Sequence, residues 1–210
     1  MNDEIDDSFH LDSVEVLGPL LAVFAVLAIV RAARRRPGWT GKPALTRVAA
    51  VGYAVGALHF TLFPIYVAIG TKNRRPWGNQ VQTVLFEGLQ EMDPTFFLNI
   101  VLFIPFGFLL PLISRRDLPV LGVILRALAA SVAIELTQLV MYLALGAGGT
   151  TDVDDLIANT LGGAIGALFL HGMLRIPHVS TAVSSFALPR LGAKGASPER
   201  IRGLEESGTH

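Results

Sequence analysis

The chain has 210 residues, of which 51% are hydrophobic and only 16% charged, and its formal net charge is zero. Soluble domains carry about 25% charged residues, so this composition, with a mean hydropathy of +0.52, favours a membrane protein. The balanced charge gives no sign of a nucleic-acid partner. The absence of cysteine excludes disulfides and thiolate-bound zinc.

Five apolar segments are long enough to cross a membrane, since a helix needs about 20 residues, with a range of roughly 17–25, to span the hydrocarbon core. They cover residues 14–30, 48–69, 96–113, 120–145 and 156–174. We therefore predict an all-α, polytopic transmembrane bundle over residues 14–174. An acidic segment (1–13) precedes it, and a polar tail (175–210) follows. We expect this tail to be disordered apart from a short interfacial helix near 179–188.

The flanking charges predict the orientation of the spans. Acidic residues precede the first segment and "RAARRR" (31–36) follows it, which is the reverse of the order in a cleaved signal peptide. With the N-terminus outside, fourteen of the seventeen Lys and Arg residues fall on the inner side, in regions 31–47, 114–126 and 175–210. The positive-inside rule then favours an N-out, C-in protein of the cell membrane.

Polar side chains interrupt the third, fourth and fifth predicted spans near their outer ends. Ser131, Glu135 and Gln138 are spaced i, i+4, i+7, which places them on one face of a helix. An ionised carboxylate in mid-membrane costs roughly 2.5–3.5 kcal/mol, so Glu135 requires partners. Asn99 lies three residues inside the outer end of the third span. These positions predict a polar pocket that opens outward.

The beginning of the fifth span supplies further polar groups. Asp152, Asp155 and Asn159 are spaced i, i+3, i+7 and share a face if the helix begins near Asp152. Gly162 and Gly166 form a seam of small residues, which lets membrane helices approach closely. A tight hairpin of the fourth and fifth spans would place Glu135 and Gln138 against Asn159 and the aspartates. The predicted ligand-binding residues are Asn99, Glu135, Gln138, Asp152, Asp155 and Asn159.

Three blocks of this region also carry a resemblance. "NIVLFIPFGFLLPLI", "SVAIELTQ" and "DVDDLIANTLGGAIG" resemble, in this order, the signature blocks of the VanZ-like membrane protein family, and "TLFP" at Thr61–Pro64 resembles an earlier helix of that family. The resemblance covers roughly residues 48–170. The family's polar positions correspond here to the six predicted ligand-binding residues. Many members carry an arginine three residues before the first aspartate, where this chain has Gly149, so any ion pair made by that arginine is in question.

The resemblance implies an integral membrane protein associated with teicoplanin-type glycopeptide resistance or cell-envelope physiology. The leading hypothesis is therefore a pocket around Glu135 that binds an envelope amphiphile at the outer leaflet. This ligand would be a lipid-linked wall precursor or a lipoglycopeptide such as teicoplanin, and the other expected partners are membrane lipids. No cofactor is required by the residues present.

Other readings of the same residues stay open. Glu135 is either a buried carboxyl that joins helices or a functional group. Polar contacts between membrane helices contribute on average only about 0.6 kcal/mol. A structural role alone would therefore offset little of the free energy needed to insert the carboxylate. A membrane-embedded hydrolase or transferase would use Glu135 as general base, with Asp152, Asp154 and Asp155 as candidate ligands of a divalent cation. One of these aspartates is expected to cap the helix instead. The third hypothesis is a proton-coupled transporter.

Overall fold

The computed structural model describes residues 7–69, 81–82, 93–114, 116–145 and 151–189. These residues form six helices and two pairs of short strands. In chain order the elements are β1 (Asp7–Leu11), α1 (Ser13–Ala33), α2 (Gly41–Leu62), β2 (Ile65–Ile69), β3 (Val81–Gln82), α3 (Pro94–Ile113), α4 (Val120–Leu145), β4 (Thr151–Asp152), α5 (Val153–Leu174) and α6 (Pro177–Ser184).

The five long helices, α1 to α5, are each long and apolar enough to span a membrane, which confirms the predicted all-α bundle. Cross-helix bonds show how their ends are arranged. Ser13 at the start of α1 contacts His59 at the end of α2, and Asn99 near the start of α3 contacts Asp155 near the start of α5. We call this the acidic end, because Asp152, Asp154 and Asp155 lie there. The opposite end, with Arg31 and Arg175, is the basic end.

Helix α5 lies at the centre of the bundle and is the most buried of the five spans. A methyl group on Gly162 would overlap the carbonyl oxygen of Ile100 in α3, and one on Gly166 would overlap that of Ile104. On the neighbouring face, Gly163 lies against Ala127 of α4. The predicted glycine seam therefore packs on α3, not on α4, and backbone contacts hold α3 and α5 together.

The second span differs from its prediction, which placed a helix over 48–69. The helix ends at Leu62, and Phe63 is extended with φ −117° and ψ 153°. This conformation follows from Pro64, since a residue before proline is disfavoured in the helical region. Residues 65–69 form β2 instead, which pairs antiparallel with β1. The helix also begins earlier than predicted, at Gly41. The prediction began later because Lys42 and Arg47 lower the hydropathy of the first two turns.

The remaining predicted spans agree with the structure within three residues at each end. The fifth span begins directly after Asp152, whose side chain accepts a hydrogen bond from the Asp154 N–H and so caps the helix. This is the role expected of one of the three aspartates, because four N–H groups at a helix start lack partners within the helix.

The first part of the tail is folded and contains a short helix, which overlaps the interfacial helix predicted near 179–188. Helix α6 follows α5 after two residues, earlier than the interfacial helix predicted near 179–188. The Leu188 N–H donates to the Leu112 carbonyl over 2.8 Å, and the Thr46 hydroxyl donates to the Phe186 carbonyl over 2.8 Å. The apolar residues of this segment cover apolar surface of α2 and α3, which explains its order. Residues 190–210 and 1–6 lie outside the described part.

Candidate functional site

A cavity of about 380 Å³ lies near the acidic end, between α2, α3, α4 and α5. This volume lies within the range of small-molecule pockets, about 300–1,000 Å³. One part of its wall is polar and the other part is apolar. The described lining residues are Phe60, Thr61, Thr95, Leu98, Asn99, Val101, Leu102, Ile134, Glu135, Gln138, Asp155 and Asn159.

A chain of hydrogen bonds joins three helices along the polar wall. The Asn99 amide donates from Nδ2 to Oδ1 of Asp155 over 2.6 Å. The Asn159 amide donates to the Ser131 hydroxyl over 2.9 Å, and that hydroxyl lies 3.5 Å from the Asp155 carbonyl, to which it donates. Ser131 and Asn159 are 0% and 3% exposed. These bonds fix the positions of the polar side chains relative to one another.

Glu135 lies against the beginning of α5. Its side chain is 4% exposed, and its Oε2 accepts a hydrogen bond from the Asp152 N–H over 3.2 Å. The first N–H groups of a helix carry partial positive charge, so they are favourable partners for a carboxylate. Glu135 also shares the cavity wall with Asp155 and Asn159. The carboxyl is thus turned into the bundle and away from lipid.

Gln138 connects α4 to the end of α2. Its Nε2 donates to the Thr61 carbonyl over 2.9 Å, and this carbonyl belongs to the last helical turn, where carbonyls lack partners within the helix. The Oε1 of Gln138 is buried and has no hydrogen-bond partner among the described residues. The same holds for Oδ1 of Asn159 in the part of the chain that the structure covers. Since buried polar atoms are usually paired, these two oxygens mark acceptors that a ligand can use.

Five of the six predicted ligand-binding residues line this one cavity: Asn99, Glu135, Gln138, Asp155 and Asn159. Asp152 lies behind Glu135 as the cap of α5 and does not line the cavity wall. Asp154 is 2% exposed and also lies outside that wall. Gly149, which stands where many family members have an arginine, lies outside the described residues. The effect of this difference on the site therefore stays a prediction.

The structure does not assemble the three aspartates into a set of metal ligands. Within the described ranges, no group of three or more His, Asp or Glu side chains is placed to hold a metal ion. Asp152 uses its carboxylate as a helix cap, and Asp155 is bonded to Asn99. A divalent cation at these residues stays a prediction.

Several lining residues were not predicted from the sequence. Thr61 contributes its carbonyl and lies in the "TLFP" block, so the resemblance contained a signal for it. Thr95 lies in the first turn of α3, and its N–H donates to Oδ1 of Asp93 over 2.8 Å. The "DPT" at 93–95 is a typical helix start. The apolar residues Phe60, Leu98 and Val101 had no signal beyond their hydropathy.

The comparisons with known proteins identify a family. The VanZ/LLP1 family model matches residues 50–175, which is more than half of the chain and includes α3, α4 and α5 in full. Neither the curated proteins nor the solved structures contained a match to this chain. The match covers the whole cavity wall, from Phe60 to Asn159. The chain therefore belongs to the VanZ/LLP1 family and is a multi-pass, VanZ-like membrane protein.

Proposed function

We propose that the cavity binds the headgroup of a cell-envelope amphiphile, and that the protein acts through this binding in glycopeptide resistance or envelope homeostasis. The observation that carries the proposal is the division of the cavity wall. Polar side chains form one part, with the carboxyls of Glu135 and Asp155 among them, and the aliphatic and aromatic side chains of residues such as Leu98 and Phe60 form the other part. A ligand with a polar head and a hydrocarbon anchor matches both parts.

The apolar part of the wall faces the surroundings of the bundle. Phe60 of α2 is 77% exposed, and Leu98 and Val101 of α3 are 64% and 61% exposed. In a membrane these side chains contact lipid, so the cavity opens between α2 and α3 toward the hydrocarbon. An amphiphile can then keep its chain among the lipids while its headgroup enters the bundle.

The polar part of the wall favours a ligand rich in hydrogen-bond donors. Glu135 and Asp155 are carboxyls, and the free oxygens of Gln138 and Asn159 are acceptors. The Asn99 amide, a donor, is already bonded to Asp155. Saccharide hydroxyls, peptide N–H groups and amino groups match these acceptors, whereas a bare phosphate does not. A lipid-linked wall precursor and a lipoglycopeptide such as teicoplanin both present such donors.

The proposal includes an orientation with the acidic end at the outer surface of the cell membrane. The sequence supports this orientation, because regions 31–47, 114–126 and 175–210 hold fourteen of the seventeen Lys and Arg residues and basic regions stay inside. Under this orientation the cavity lies in the outer leaflet, where wall precursors and glycopeptides are present.

A resistance assay tests the proposal. Glu135→Gln and Asp155→Asn retain side-chain size but remove the carboxylates, and Thr137→Val is the matched control. Thr137 is adjacent to Gln138, but it is exposed and its hydroxyl donates to the Ala133 carbonyl of its own helix. At matched expression, we expect teicoplanin tolerance to fall for both cavity variants and to persist for Thr137→Val. Full tolerance in both cavity variants would show that the cavity is not the site.

A binding measurement separates the two ligand classes. The purified chain in lipid nanodiscs is titrated with teicoplanin and, in a second series, with a lipid-linked wall precursor. Saturable binding of one of them, weakened by Glu135→Gln but not by Thr137→Val, identifies the ligand. Absence of saturable binding for both would contradict an envelope-amphiphile site.

One observation favours a second candidate, a membrane-embedded hydrolase or transferase of envelope lipids. Glu135 and Asp155 lie on the wall of the same cavity, and a pair of carboxyls can divide the roles of general acid and general base. Turnover of an envelope lipid by purified protein, lost in Glu135→Gln, would support catalysis. Loss of that turnover on addition of EDTA would indicate a metal-assisted reaction.

A further inference from the structure

A second cavity lies at the basic end, far from the site described above. It has a volume of about 340 Å³ and lies between α2, α3 and α6. Leu45 and Ala49 contribute from α2, Leu109 and Leu112 from α3, and Val183 and Phe186 from α6 and the turn that follows it. Because α6 begins two residues after α5 ends, this cavity lies at the level where the bundle meets the membrane surface.

The wall of this cavity has no free hydrogen-bond donor on its described side chains. Thr46 is the one polar residue among the described lining residues, it is 4% exposed, and its hydroxyl donates to the Phe186 carbonyl over 2.8 Å. Water in such a site would lack partners, since a buried water needs 2–4 polar contacts. A sugar or peptide would also lose its hydrogen bonds there. The wall therefore matches hydrocarbon.

The edge of the cavity is positively charged. The ammonium of Lys42 lies 5.3 Å from the centre of the Phe186 ring, which lines the cavity. Arg47, one residue after Thr46, has its guanidinium 4.1 Å from the centre of the Trp39 ring. The described residues at this end include one carboxylate, Asp117, and nine cations. These cations are Arg31, Arg34, Arg35, Arg36, Lys42, Arg47, Arg116, Arg126 and Arg175.

We infer that this cavity is a binding site for an anionic phospholipid of the leaflet at the basic end. One acyl chain occupies the apolar space between α2, α3 and α6, and the phosphate lies beside Lys42. Basic pockets between membrane helices bind anionic headgroups in this way. The charge at the edge selects an anionic over a zwitterionic phospholipid, and the apolar wall selects a chain over a soluble anion.

A fluorescence experiment on the full chain tests this site. Phe186→Trp, in a background with Trp39→Phe and Trp77→Phe, places a single indole in the cavity wall. The control is Leu125→Trp in the same background, because Leu125 is 56% exposed on α4, near the same end of the bundle. Both proteins are reconstituted in phosphatidylcholine nanodiscs that contain increasing fractions of a phospholipid with brominated chains, which quench tryptophan on contact. The brominated lipid is either phosphatidylglycerol or phosphatidylcholine.

We expect brominated phosphatidylglycerol to quench Phe186→Trp at an about fivefold lower lipid fraction than brominated phosphatidylcholine, which is the preference that one interfacial cation confers. Lys42→Gln should remove most of this preference. At Leu125→Trp the difference between the two lipids should be the same with and without Lys42→Gln. Equal quenching by the two lipids at Phe186→Trp would mean unselective surrounding lipid and would overturn the inference. Quenching at Leu125→Trp alone would overturn it too, because no chain would then enter the cavity.

A measurement on the unmodified chain avoids dependence on the tryptophan reporter. Native mass spectrometry after extraction from membranes of mixed phosphatidylglycerol and phosphatidylcholine should show retained phosphatidylglycerol, and Lys42→Gln should reduce it about fivefold. Retention of phosphatidylcholine in equal proportion, or no change in Lys42→Gln, would contradict an anionic-lipid site.

Discussion

The side chain of Asn99 donates a hydrogen bond to the carboxyl of Asp155 over 2.6 Å, although the two residues are 56 positions apart. This bond connects the second turn of α3 with the first turn of α5. The next residue after Asn99 is Ile100, whose carbonyl oxygen lies against Gly162 of α5. The polar wall of the cavity and the close backbone packing of α3 on α5 are therefore parts of one interface.

The first prediction concerns this bond. Asn99→Asp replaces the donor with a second carboxyl, which leaves Oδ1 of Asp155 without its partner. We expect the free energy of unfolding to fall by about 1–3 kcal/mol, as for other buried polar groups that lose a partner. Thermal unfolding of purified protein in detergent measures this loss as a lower Tm.

The exchanged pair provides the control. Asn99→Asp combined with Asp155→Asn restores one amide and one carboxyl in contact, so the double variant should recover most of the lost Tm. Equal stability of the Asn99→Asp variant and the parent would show that the bond contributes nothing to the fold.

The second prediction concerns the glycines of α5. Gly162→Ala places a methyl group against the Ile100 carbonyl, so α3 and α5 must separate. Overpacking of this kind costs about 1–3 kcal/mol. Gly172→Ala is the matched control on the same helix, since a methyl group there meets nothing within 4 Å. We expect a lower Tm for Gly162→Ala and an unchanged or slightly higher Tm for Gly172→Ala. The same shift in both variants would contradict the packing described.

The third prediction concerns the opening of the cavity. Leu98 lines it and is 64% exposed, whereas the adjacent Phe97 is 40% exposed and does not line it. Leu98→Trp should narrow the opening and lower both teicoplanin tolerance and ligand affinity, while the Tm stays near that of the parent. Phe97→Trp adds an indole to the neighbouring surface and should leave both properties unchanged. Equal effects of the two variants would place ligand entry elsewhere.

The fourth prediction concerns orientation. The chain has no cysteine, so an introduced cysteine is unique. Asp12 lies exposed at the acidic end, and His178 lies exposed at the basic end. A maleimide reagent that does not cross membranes should label Asp12→Cys in intact cells. It should label His178→Cys only after the cells have been lysed. The reverse pattern would place the cavity in the inner leaflet and would contradict the proposed access to wall precursors.

The fifth prediction concerns the segment after α5. A chain that stops after Ile176 loses the Thr46–Phe186 and Leu188–Leu112 hydrogen bonds, together with the apolar cover of the second cavity. We expect it to be less stable by about 1–3 kcal/mol, because each bond contributes roughly 0.5–1.5 kcal/mol. A chain that stops after Pro189 keeps these contacts and should match the full chain. If both chains unfold at the parent's Tm, packing of α6 does not stabilise the bundle.

Much of the fold followed from hydropathy and charge, because a membrane helix must be apolar over a length set by the bilayer. α4 begins and ends where its apolar run does, at Val120 and Leu145. The second span shows the limit of this reasoning. Its apolar run continues through Ile69, but Pro64 ends the helix and the last residues pair with β1. Local backbone chemistry thus overrode the hydropathy of this segment.

The candidate site could be predicted as a set of residues but not as a set of contacts. Helical spacing placed Glu135 and Gln138 on one face and Asp155 and Asn159 on another. The partner of Gln138 is a backbone carbonyl, that of Thr61, and no pattern of side chains indicates such an acceptor. The spacing of Gly162 predicted close packing, but it did not show that the neighbour is α3, because a seam of small residues is compatible with any adjacent helix.

The backbone contacts of α5 determine which wall of the cavity can move. Sliding α3 along α5 would press the carbonyl oxygens of Ile100 and Ile104 into the opposing glycines, so this pair moves as a unit. α2 is tied to α4 at this end by the Gln138–Thr61 hydrogen bond, whose loss costs only about 0.5–1.5 kcal/mol. If the cavity binds a headgroup wider than its opening, we expect entry by an outward swing of α2, and substitutions at Gln138 should raise the rate of entry as well as remove one acceptor for the ligand.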